Sequence, residues 1–152
     1  MSCKLILTQY QEFPDLEFIV QDISEDMMRQ ASLRTEMGGL EGRVTFMQHD
    51  FFEPQPIHDA SAFFLRHISH NYVDNECVKI LRALIPALEK RPGTSVLIND
   101  VVLPELNSKE RYKERIMRQT DIAMFVVLGA KQRSASQFQA LVKQADPRFE
   151  VR

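Results

Sequence analysis

"ASAFFLRHISHNYVDNECVKILRALIPALEK", residues 60–90, carries two periodicities in succession. The run 60–65 is apolar or small throughout and reads as a buried strand. After a polar break, Val78, Leu81, Leu84, Ile85 and Leu88 recur on one helical face, with Asp74 as the expected cap. Pro86 falls in the last turns, and "RPG" (91–93) ends the helix. A strand that feeds a helix is the repeating half of an α/β protein.

The same alternation extends in both directions. "KLILTQYQEF" reads as the back half of a helix ended by Pro14. "LEFIVQ" (16–21), "VTFMQ" (44–48) and "TSVLIN" (94–99) read as strands. Ser24 caps a helix with acids in its first turn, and the glycines of "MGGLEGR" mark a turn. A long helix is expected over 109–128, and Ser134 with Gln137 forms a capping pair for the last one. The strands are apolar along their length, so they are expected to be buried on both faces in a parallel sheet between helical layers.

Composition removes several classes of function. At 152 residues the chain is long enough for one compact domain with a core. A net charge of −2 supplies no basic field for nucleic acid or an anionic membrane. No apolar run reaches transmembrane length, and no secretory leader is evident. Two cysteines make neither a disulfide framework nor a zinc site, so a reducing, cytoplasmic setting is expected and no metal.

Parallel sheets bind ligands at the carboxyl ends of their strands. The residues there are Asp22, Asp50 with Phe51, Arg66 to His70, and Asp100. Asp22 suits a ribose diol or a helix cap. Asp50 beside an aromatic ring suits adenine, or is a solvated loop acid. His67 directly follows its strand and reads as a structural histidine. His70 lies further out, where a ring that titrates near neutrality can take a proton from a hydroxyl, and Asp100 can fix its tautomer. The stripe "IAMFVV" (122–127) reads as core, although Met124 suits a pocket too.

The blocks "PDLEFIVQD", "HDFFEPQP", "LRHISHNYVDNECVKILRALIPAL", "VLINDVVLPE" and "ADPRFEV" resemble, in order and spacing, the catalytic domain of fungal, plant-type S-adenosylmethionine-dependent O-methyltransferases. The resemblance covers nearly the whole chain. It implies a Rossmann-like three-layer α/β sandwich with a mostly parallel sheet, and methyl transfer from S-adenosylmethionine to a hydroxyl of a phenolic or polyketide metabolite. Asp22 then matches the acid that binds the donor's ribose. Asp50 matches the acid on the adenine, with Phe51 beside it, and Arg66 a basic position at the rim. His70 matches the general base, Asp100 the acid that positions it, and Met124 a substrate-contacting methionine.

The departures carry expectations too. The family's glycine-rich loop, on a central first strand, has no counterpart here, so two strands are expected to lose a neighbour, leaving unpaired edges and exposed apolar faces. The N-terminal dimerisation domain of the family and its last strand pair are also absent, so 1–152 reads as a partial methyltransferase domain. "HNY" replaces "HDW", and Gln132 stands where a second base-supporting glutamate is common. Both changes remove negative charge near the base. Three readings therefore stay open: a methyltransferase, an inactive remnant, or a fold repurposed for metabolite binding or a non-methyl reaction.

Overall fold

The computed structural model describes residues 13, 15–36, 42–104 and 111–151. The helix expected over 4–13 lies almost wholly outside them. The chain divides into two compact units, residues 1–53 and 54–152.

In the first unit, β1 (Phe18–Asp22), α1 (Glu25–Glu36) and β2 (Val44–Gln48) follow one another. The strands pair in parallel, from Phe18 opposite Val44 to Asp22 opposite Gln48, and the helix packs on both. Val44 is buried among Leu16, Phe18, Val20 and Phe46. Ser24 caps α1 as expected, its Oγ accepting the Met27 N–H at 3.3 Å. Gly42 adopts φ 79 in the turn before β2, a conformation that side chains resist.

The second unit runs β3 (Ala62–Arg66), a 3₁₀ turn (Ser69–Asn71), α2 (Asp74–Lys90), β4 (Ser95–Asn99), β5 (Val102–Leu103), α3 (Arg111–Leu128), β6 (Arg133–Ser134) and α4 (Ala135–Ala145). Again the strands pair in parallel: β3 with β4, in register from Ala62 opposite Ser95, and β5 with β6. The core is one face of α2 against α4. Cys77, Val78, Leu81, Leu141 and Ala145 are buried together, with Leu65, Val96 and Ile98 of the strands packed on them. Ser134 and Gln137 form the expected reciprocal cap of α4.

Three expectations need correction. Among the described residues the four main strands form two parallel pairs, not one sheet. β3 and β4 are covered on one face only: burial alternates along both, and Phe64 and Leu97 stay exposed. Helices α2 and α4 pack on the other face, which leaves these two apolar side chains in a groove of about 870 Å³ with Phe138 and Phe149. The stripe on α3 is not core either, since Ile122, Phe125, Val126 and Val127 are exposed.

The start of α2 also differs from its expected form. Val73 holds the cap position, and its N–H is met by the Glu76 carboxylate at 3.4 Å. Asp74 enters the helix because its side chain is drawn away, to Lys131 and Arg133.

Candidate active site

Parallel register decides which loops meet. Arg66 lies opposite Asn99, so the segment after β3 emerges beside the segment after β4. The His67 N–H extends the ladder by one bond, to the Asn99 carbonyl at 3.0 Å. His67 then turns the chain at φ 53, the one positive φ outside glycine among the described residues. Asn71 Nδ2 clamps this turn by donating to the His67 carbonyl at 3.0 Å. The reversal carries Ser69 and His70 onto Asp100.

Asp100 is the centre of that cluster, with its side chain only 2% exposed. Oδ2 accepts the Ser69 hydroxyl at 2.5 Å and the His70 N–H at 3.2 Å. Oδ1 accepts the Val101 N–H at 3.0 Å and pairs with His70 Nδ1. Burial pushes the Asp100 carboxyl up, but the hydrogen bonds from Ser69 and His70 pull harder and leave it below its ordinary value. An ionised carboxylate only accepts, so His70 Nδ1 carries the proton and Nε2 is left as the acceptor. This is the arrangement of a histidine base held by an acid.

A second web holds the turn from behind. Arg133 is 1% exposed. Its guanidinium donates to the Ser69 carbonyl at 2.6 Å, the Tyr72 carbonyl at 2.9 Å and Asp74 Oδ1 at 2.7 Å. Lys131 Nζ meets the other Asp74 oxygen at 2.7 Å. Burial raises the Asp74 carboxyl, but these two cations outweigh it and the net shift is downward. Arg133 thus grips the backbone on either side of His70 and Asn71. Burial also raises the nearby Cys77 thiol, which keeps it a packing residue and not a nucleophile.

In the first unit, Asp22 and Asp50 come to one edge. Asp22 ends β1, and the His49 N–H donates to its carbonyl at 3.0 Å. Asp50 is the next residue along. Each carboxylate uses Oδ1 on the backbone two residues ahead: Asp22 on the Ser24 N–H at 2.8 Å, Asp50 on the Phe52 N–H at 2.9 Å. Phe51 stands half-buried, its ring 5.1 Å from that of Phe52. Arg66 is exposed at the end of β3, and Met124 is half-buried on α3, a helix that packs against the 69–71 turn.

Sequence reasoning paired His70 with Asp100, and the structure brings the two side chains together. It misjudged His67, whose ring is exposed and tilted over His70 with centroids 5.5 Å apart. It missed Ser69 and Arg133. An arginine in "AKQRS" looks like a solvated loop residue, and no local pattern marks it as buried. Gln132 is buried with Oε1 unpartnered among the described residues, at the position noted for its missing charge.

Comparison with known proteins adds the following. The model of the O-methyltransferase domain family matches residues 4–147. O-methyltransferase sol2 of Alternaria solani is 55% identical over 141 residues, covering 92% of this chain and 33% of its own. O-methyltransferase AMT9 of Alternaria alternata is 39% identical over 132 residues, covering 87% and 30%. The structure of LepI in complex with SAM superposes with a TM-score of 0.76 at 26% identity, covering 93% of this chain and 34% of that one. The chain spans about a third of the length of the relatives it matches.

Proposed function

The chain belongs to the O-methyltransferase domain family, and from that premise we propose that it serves methyl transfer from S-adenosylmethionine to a hydroxyl of a small phenolic or polyketide metabolite. The observation that carries this is the His70–Asp100 pair, built at a strand end with Nε2 left to accept. The donor supplies a methyl group already activated on its sulfonium. What the protein must add is alignment and removal of the hydroxyl proton. His70 Nε2 takes that proton as the acceptor oxygen attacks the methyl carbon and the carbon–sulfur bond breaks. Asp100 stabilises the imidazolium and holds the ring in line.

Asp22 and Asp50 fit the donor's nucleoside. Each spends one oxygen on its own turn, leaving Oδ2 to accept from ribose hydroxyls in the first case and the adenine amino group in the second. Phe51 supplies an aromatic face for the base, Arg66 a cation at the rim, and Met124 a contact to the acceptor. On the same reading 1–152 is part of a methyltransferase domain of a cytosolic protein, and homodimers belong to the full-length family. The exposed Phe125, Val126 and Val127 on α3 are surface of the kind a partner covers. Among the described residues, no helix is long and apolar enough to cross a membrane.

Single-turnover methyl transfer from labelled donor to a panel of phenols tests the proposal. His70→Ala slows the chemical step by a factor on the order of 100 to 10,000, with donor affinity nearly unchanged. A variant that keeps its full rate, or a wild-type chain that binds donor and methylates no phenol, overturns it.

A further inference from the structure

His67 is the histidine that methyl transfer leaves unused. We propose that His67, His70 and Asp100 form a site for a divalent transition-metal ion of the zinc class. One ligand atom from each residue lies within 4.8 Å of the other two. Ligands around tetrahedral zinc stand roughly 3.3 to 3.5 Å apart, given bonds of about 2.0 to 2.2 Å. Closing on an ion therefore asks the exposed His67 ring to swing in, and His70 Nδ1 and Asp100 Oδ1, which now touch directly, to part until both reach the ion.

Two imidazoles and one carboxylate form a donor set that zinc and its neighbours favour, with a fourth position left to solvent. The outer bonds suit the task. Ser69 Oγ and the His70 N–H hold Asp100 through Oδ2, and the Val101 N–H steadies Oδ1, so Oδ1 is presented in a fixed direction. The backbone points the same way. The turn at φ 53 suits glycine or asparagine at least as well as histidine, so chain reversal alone does not call for an imidazole there. Asn71 braces that turn through the His67 carbonyl, and the His67 ring lies over that of His70.

Binding puts the ion where the proton between His70 Nδ1 and Asp100 Oδ1 stood, and that proton moves to His70 Nε2, so the ring stays a neutral imidazole. The base is then withheld. That consequence rests on the methyl-transfer reading, whereas the binding itself does not.

Cobalt(II) is the probe, titrated into the chain in a Cys3→Ser background that removes a competing thiolate. The expected result is one equivalent bound in the micromolar range, with strong visible absorption of tetrahedral type that zinc(II) bleaches. His67→Asn keeps the left-handed turn and lowers affinity by at least about 10 to 100-fold, the loss seen even for outer-shell partners. His58→Asn, whose ring meets Lys90 Nζ instead, leaves binding unchanged. Circular dichroism confirms that each variant is folded. Binding only at millimolar metal, equal affinity in His67→Asn, or loss in His58→Asn overturns the site. Metal binding by a chain that transfers no methyl group leaves the site standing and removes the methyl-transfer reading.

Discussion

Asp50 and Asp100 each follow a β-strand at its carboxyl end, yet they are held in opposite ways. Among the described residues, the Asp50 carboxylate bonds to the backbone two residues ahead, a local turn that any aspartate makes for itself. Besides the neighbouring Val101 N–H, Asp100 draws His70 and Ser69 from 30 and 31 residues away, and its side chain is almost wholly buried. The first carboxylate keeps an oxygen for whatever arrives. The second is already committed to Ser69 and His70 before donor or acceptor arrives. This division matches two kinds of work: a ligand-binding acid needs free valence, whereas the partner of a base needs fixed orientation.

On this contrast, substitutions in the long-range web should cost far more stability than substitutions in the local turns. Arg133→Met should have the largest effect. It strips the Ser69 and Tyr72 carbonyls of their charged donor, with only the weak Cys77 thiol near both, and among the described residues leaves Asp74 with Lys131. Loss of several buried charge-assisted bonds is expected to cost about 3 kcal/mol in urea unfolding. Arg133→Lys should recover little of it, since a single ammonium cannot reach all the acceptors of the planar fork. Asp50→Asn, which keeps an acceptor for the Phe52 N–H, should leave the unfolding curve almost where it was. Equal losses in Arg133→Met and Asp50→Asn would erase the distinction.

Acid sharpens the same comparison with a smaller effect. The folded state lowers the Asp74 carboxyl below its ordinary value of 3.8. Its contribution to stability is therefore present in full above that value and fades as pH falls through the lower, folded one. Asp74→Asn should melt below wild type near neutrality, and the gap should close as pH drops below about 4. A gap that stays constant down to the lowest pH would mean that the Lys131 and Arg133 bonds do not depend on the charge of Asp74.

The difference between local and long-range bonds also explains what could be read in advance. Strand and helix identities follow from periodicity, and β2 falls on the residues expected, 44–48. The Ser134–Gln137 cap is a three-residue pattern and was equally legible. His70 and Asp100 could be paired because strand ends in a parallel sheet share an edge. Arg133 could not, because its acceptors are backbone carbonyls 61 and 64 residues away, and a carbonyl has no signature in sequence. Apolar side chains on β3, β4 and α3 misled for a related reason. Apolar character says that a face wants cover, but not whether the described part of the chain supplies it.

The state of the His70 ring tests the central claim most directly. Nitrogen-15 chemical shifts of the imidazole, taken where the ring is neutral, report which nitrogen holds the proton. The pairing with Asp100 predicts protonated Nδ1 and bare Nε2 in the wild-type chain, with that preference lost in Asp100→Ala. A ring that is protonated mainly at Nε2, or one whose tautomer ignores the loss of Asp100, would contradict the assignment of His70 as a base oriented by this acid.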